Sequence, residues 1–141
     1  MTGTDDERIR GLWDVMALGW ADGDADAFAA VFAEDCDFTT VRGEKPPGQA
    51  GIAAGHARLF RADFRSTCLD THVHSIRYLR SDLATVNVES AVVAADGTTL
   101  VGTHALAVVE RNAAAGADDA WRITAFHNMI PAPRPVVGPV S

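Results

Sequence analysis

Trp121-Arg122-Ile123-Thr124-Ala125-Phe126-His127-Asn128-Met129-Ile130 is the stretch on which the reading of the fold turns. It is rich in β-branched and aromatic residues, and it sets a histidine and an asparagine inside an apolar run that stops at Pro131. Such a run reads as a buried strand carrying polar groups. Successive side chains of a strand point to opposite faces, so His127 and Asn128 face opposite ways unless a bulge intervenes. Given a curved sheet and a helical cover, the inward one of the pair reaches a cavity.

Upstream of this strand the same chemistry repeats. Segments 69–80, 83–94 and 99–111 are rich in Val, Ile, Thr and aromatics, and with 120–130 they make four strands. Turn residues separate them: Ser81-Asp82, Asp96-Gly97, and the stretch from Ala113 to Asp119. Asp-Gly between two apolar runs is a strong hairpin signal.

The first half of the chain is different. Thr4 and Glu7 have the spacing of a capping box, and Ile9, Leu12, Trp13, Met16 and Trp20 then recur at helical intervals. Asp24 caps a second, shorter helix with Asp26 in its positive first turn and Phe28, Val31 and Phe32 facing inward. Residues 36–42 read as a first strand, with Phe38, Thr40 and Arg42 on one face. After the loop from Gly43 to Gly48, a third helix carries Ile52, His56, Leu59 and Phe60 on one stripe. Helices followed by an antiparallel meander make an α+β protein, not a βαβ one. The expected architecture is a cone-shaped barrel, a curved, mainly antiparallel sheet wrapped around three N-terminal helices, with a cavity at its open end.

Composition narrows the partners. The 141 residues, 48% of them apolar, suit one domain over 1–130 followed by a Pro-rich tail over 131–141 that cannot extend a central strand. A net charge of -7 argues against phosphate-backbone binding, so nucleic acid is not an expected partner. No stretch has the roughly 20 apolar residues of a membrane span, and Thr2-Gly3-Thr4-Asp5-Asp6-Glu7 lacks the basic and apolar regions of a signal peptide. The expectation is a cytoplasmic protein without a membrane partner. Cys36 and Cys68 make no zinc or redox spacing and read as buried, reduced thiols. There is no GxGxxG, P-loop or GxSxG, so no nucleotide or flavin cofactor is expected.

The pattern Phe32-Ala33-Glu34-Asp35, Phe38, Gly43, Gly48, Ile52 and His56, followed by Trp121-Arg122-Ile123 and His127-Asn128, resembles the SnoaL-like, nuclear-transport-factor-2-like superfamily. Within it the chain looks most like SgcJ/EcaC-type proteins of actinobacterial secondary metabolism, some encoded with enediyne polyketide synthases. The likeness runs from about residue 5 to residue 130. It implies the cone-shaped barrel, a homodimer formed through the sheet, and a ligand held between the helices and the concave sheet face. In ketosteroid-isomerase-like relatives the base is a carboxylate on the first strand, and that position falls at Thr40. A neutral hydroxyl is no base near neutral pH. A pocket tyrosine of the same relatives falls at His56, and their second acid falls near Ala107.

Other residues are candidates for the missing base. Glu89 shares a strand face with Asn87; on a concave face it would be a desolvated carboxylate with a raised pKa, and on an outer face merely a solvated one. His127 and His56 are the further catalytic candidates, although His56 in an apolar helical stripe also suits a structural hydrogen bond. His72 and His74 have an HxH spacing that His104 or His127 would complete into a triad, but no carboxylate at a recognisable spacing joins them, and no metal is expected. The substrate-binding candidates are Trp13, Trp20, Phe38, Thr40, His56, Phe60, His104, His127 and Asn128. Their aromatic members are core residues first, and a cone with an open wide end lets Trp13 and Trp20 also stack on a flat ligand.

The sequence thus points to a binding protein for a hydrophobic polyketide or polyene intermediate in antibiotic biosynthesis, assisting its release or tailoring beside a polyketide synthase or thioesterase. The polyketide and enediyne setting is what the resemblance implies. One alternative is a cofactor-free isomerase, cyclase or dehydratase; another is a non-catalytic dimeric assembly module, whose cavity would be filled.

Overall fold

The computed structural model describes residues 4–111 and 120–133. Helix α1 (Asp5–Ala21) begins where the Thr4 side chain accepts the Glu7 amide at 3.2 Å, and α2 (Ala25–Ala29) where Asp24 accepts the Ala27 amide at 3.0 Å. Both caps are those expected from the sequence. The two helices turn back on each other at a close approach: a Cβ placed on Gly19 would lie 2.5 Å from the Phe28 amide nitrogen. Only a glycine lets α2 sit that near. Helix α3 (Gly48–Arg61) buries Ile52 and Phe60.

Five strands follow or interleave: β1 (Phe32–Thr39), β2 (Cys68–Arg80), β3 (Leu83–Val93), β4 (Thr99–Arg111) and β5 (Trp121–Met129), in the sheet order β1-β5-β4-β3-β2. The last four strands lie within a residue or two of where the sequence puts them. β2 through β5 pair antiparallel, and β1 joins β5 in parallel, with Phe38 opposite Phe126. The outermost strands, β1 and β2, do not meet, so the sheet is curved but open, not a closed barrel. Register shifts in every strand pair supply local bends. At the β3–β4 turn Gly97 has φ 90° and Asp96 accepts the Thr98 amide at 2.9 Å, as the Asp-Gly signal requires. The turn expected over Ala113 to Asp119 lies outside the described residues, as does most of the Pro-rich tail.

The first strand departs from the sequence reading. It spans Phe32–Thr39, not 36–42, and α2 stops at Ala29, so Val31 is buried from the turn before the strand and Phe32 from the strand itself, neither from a helix. The cause is tertiary: Phe32 pairs with Ile123, and the Ile123 amide donates to the Val31 carbonyl at 2.9 Å. At the other end the Thr40 hydroxyl accepts the amides of Arg42 (3.3 Å) and Glu44 (3.0 Å), which closes a turn and ends the strand.

The core lies between α1 and the concave sheet face. Ile9, Trp13 and Met16 of α1 are buried together with Val86, Ala107, Val109 and Ile123 of the sheet. Small residues at Ala84, Ala105 and Ala107 leave room for the helix. The acidic start of α1 is tied to the sheet by the Trp121 indole, which donates to Asp5 at 3.1 Å, and the Tyr78 hydroxyl, which donates to Asp6 at 2.7 Å. This closes the narrow end of the cone. Among the described residues no helix is long and apolar enough to cross a membrane.

Candidate functional site

The wide end stays open. Between α1, α2, α3 and the concave face lies a cavity of about 420 Å³, walled by Trp13, Trp20, Phe28, Phe38 and Phe126. Phe38 and Phe126, paired across β1 and β5, stack at 4.9 Å with their planes 9° apart. Trp20 meets Phe60 edge to face at 4.9 Å. Its indole N–H is already committed: it donates to the Thr67 hydroxyl at 2.8 Å, which donates in turn to the Phe64 carbonyl at 2.7 Å. Trp20 therefore offers the cavity a fixed apolar face and no hydrogen bond.

His56 is the titratable group set deep in this wall. Its ring stacks on Phe28 at 4.2 Å and meets Trp20, Phe38 and Phe60 at 6.0–6.1 Å. Nδ1 lies 2.8 Å from the Ile52 carbonyl one turn back in α3. A carbonyl only accepts, so Nδ1 carries the proton and donates. Burial holds the His56 pKa below the ordinary histidine value, partly offset by that hydrogen bond. The imidazole is neutral near neutral pH, and Nε2 is a bare lone pair.

Of the candidate residues, Trp13, Trp20, Phe38, Thr40, His56 and Asn128 share this cavity lining. Phe60 packs directly behind Trp20 and His56. Thr40 sits in the turn after β1, with both backbone amides named above on its oxygen. Asn128 faces inward, and its Oδ1 is sealed from solvent with no hydrogen-bond partner among the described residues.

His104, His127 and Glu89 lie elsewhere. Alternation along β3, β4 and β5 turns all three to the convex face, where they are exposed. Of the His127–Asn128 pair, Asn128 is the inward member. Glu89 accepts from His104 Nε2 at 3.0 Å and His74 Nε2 at 3.2 Å. Its pKa is lowered, first by the hydrogen bond from His74, the opposite of the raised value expected for a concave position. Glu89 is therefore not a desolvated base. The His72 and His74 rings meet edge to face at 4.7 Å on the same side. Among the described residues no group of three or more His, Cys, Asp or Glu is arranged to hold a metal ion. Cys36 is buried as expected, with its thiol pushed up to about 12 by burial and by Asp37 and Asp35, an unreactive core thiol. Cys68, at the start of β2, is exposed and not buried.

Sequence reasoning passed over the strand contributions to the lining: Ser90 and Val92 from β3, and Val101 and Thr103 from β4. A signal existed. Val86, Val88, Ser90 and Val92 share the parity opposite to Asn87 and Glu89, so an outward Glu89 puts Ser90 and Val92 inside.

The chain's fold has known counterparts. A domain of unknown function with a cystatin-like fold from Nostoc punctiforme is 29% identical, with 95% of this chain and 82% of that one covered at a TM-score of 0.82. The chain has the nuclear-transport-factor-2-like, cystatin-like fold. A ketosteroid isomerase-like protein from Erwinia carotovora atroseptica is similar at 14% identity, TM-score 0.70, over 94% of this chain and 100% of that one. A protein provisionally assigned as a scytalone dehydratase, from Novosphingobium aromaticivorans, is similar at 12% identity, TM-score 0.72, over 91% and 85%. At these identities the two share the fold alone. No family profile and no curated protein matches the chain.

Proposed function

We propose that this chain is a small-molecule-binding protein whose open cone holds a flat, apolar ligand of polyketide or polyene type and assists its release or tailoring. The observation that carries this reading is the aromatic cavity of about 420 Å³, a size that suits a small organic ligand. An assembly module with no ligand would have that space filled. The enediyne setting, the SgcJ/EcaC-type assignment and a polyketide synthase or thioesterase as partner rest on the resemblance in sequence. A second copy is the expected partner for the convex face, where Leu106 and Met129 are about half exposed; sedimentation analysis tests the homodimer.

The ligand reading is tested by native mass spectrometry and absorbance of protein purified from a host expressing a polyene-producing synthase. A conjugated chromophore that co-purifies and is released on denaturation is the expected result. Protein that emerges without chromophore while the polyene is abundant would overturn the reading.

A second reading is favoured by one observation, the bare Nε2 of a neutral His56 at the cavity wall. A cofactor-free isomerase, cyclase or dehydratase needs a base, and the position of the usual carboxylate is Thr40. In this reading His56 Nε2 takes a proton from a carbon beside a carbonyl, leaving an enolate. The imidazolium then returns the proton to another carbon, or gives it to a departing hydroxyl as water. Fold neighbours named as ketosteroid isomerase-like and as a scytalone dehydratase are in accord with this class. Exchange of α-protons for deuterium in a ketone ligand, followed by NMR, should be lost in His56→Gln. Equal exchange in both proteins would remove His56 as the base.

A further inference from the structure

The cavity wall is poor in charge. Among the described residues Arg42 is the one cation in its lining, on the exposed turn after β1, and Glu44 and Asp63 line the same rim with opposite charge. Deeper in, the polar groups are the His56 imidazole, the Asn128 amide and the hydroxyls of Ser90 and Thr103. The Trp20 N–H is spent on Thr67 and is not offered to a ligand. His56 Nδ1 is held by the Ile52 carbonyl, which leaves Nε2 with no donor among the described residues.

We infer that the cavity selects neutral ligands with a hydroxyl donor, a phenol or an enol, directed at His56 Nε2, and discriminates against carboxylates. This rests on the cavity's being a ligand site, as proposed above. Two physical arguments carry it. A lone pair walled by Phe28 and Phe38 is costly to leave unmatched once a ligand has displaced water, so a hydroxyl satisfies what an ether or a hydrocarbon leaves unpaired. A carboxylate, by contrast, would bring its charge into an aromatic wall whose single cation among the described residues is at the rim, and would set its lone pairs against that of Nε2.

The test uses a series of matched aromatic probes, followed by calorimetry and by quenching of the tryptophans that line the cavity: 2-naphthol, 2-methoxynaphthalene, naphthalene and 2-naphthoate. 2-Naphthol should bind about tenfold more tightly than the methyl ether or the hydrocarbon, the size of one well-formed buried hydrogen bond. 2-Naphthoate should be the weakest. In His56→Phe, which keeps the aromatic stack and removes the acceptor, the advantage of 2-naphthol over naphthalene and the methyl ether should vanish. His56→Gln, which restores an acceptor near the Nε2 position, should recover part of it, and serves alone should the Phe variant not fold. Equal binding of naphthol, ether and hydrocarbon, or tightest binding of naphthoate, would overturn the inference and leave the cavity a ligand site. No binding by any probe would overturn the ligand-site reading and this inference together.

Discussion

Replacing Thr67 with valine should cost far more than a surface threonine would. Thr67 is a buried polar residue, 6% exposed, and its hydroxyl is the middle of a relay from the Trp20 indole to the Phe64 carbonyl, with links of 2.8 and 2.7 Å. Valine keeps the shape and removes both bonds. The Trp20 N–H then lies buried without an acceptor, at about 1–3 kcal/mol, and the lost donor to Phe64 adds about 1 kcal/mol. The extra buried methyl returns up to about 0.8 kcal/mol. The balance is a loss of about 2 kcal/mol, read as a lower urea midpoint at unchanged m-value, or a fall in Tm of about 6 °C. Thr67→Ser should retain most of the stability, because it keeps the hydroxyl. The substitution also reaches the site, since Trp20 is a cavity wall fixed by this bond; affinity for a flat ligand should fall in the valine variant. A loss below about 0.5 kcal/mol in Thr67→Val would refute the reasoning, showing that the indole finds water or another acceptor.

Three further outcomes follow from the same geometry. Gly19→Ala should lose about 2 kcal/mol in denaturant titration, because the added Cβ meets the backbone of Phe28 and not a flexible side chain; an unchanged midpoint would mean that α2 is free to move away. Burial lowers the His56 pKa, so the unfolded chain binds that proton more readily than the folded one. The His56 contribution is therefore fully present above about pH 6.5 and is lost as pH falls below it, by up to about 1.4 kcal/mol per pH unit until the folded-state pKa is reached. The pH profile of His56→Gln should lack this component; parallel profiles would show that folding leaves the His56 pKa unchanged. Asn128→Leu removes a sealed oxygen with no partner among the described residues and should raise stability by about 1 kcal/mol while changing ligand preference. A loss of similar size would show that the amide is needed by the fold.

Much of the fold is legible in the sequence because its signals are local. The Thr4 and Asp24 caps, the stripe from Ile9 to Trp20 and the Asp96-Gly97 turn each need only neighbours a few residues away. Each is found where the sequence puts it. The start of β1 is not local: Phe32 is a strand residue because Ile123 pairs with it, and no short window around Phe32 contains that fact.

The candidate site divides along the same line. By itself, the sequence determined that an aromatic core with few charges would meet a sheet carrying scattered polar residues, and that His127 and Asn128 would face opposite ways. Period alone cannot say which strand face is concave, since that depends on where the helices pack. Only the tertiary structure turned Asn128 inward, sent Glu89, His104 and His127 to the convex face, and stacked Phe28 on His56. It also decided the chemistry of His56. The same imidazole on an exposed helix would titrate as an ordinary histidine; walled by aromatic rings and tied through Nδ1 to Ile52, it is a neutral acceptor facing a cavity.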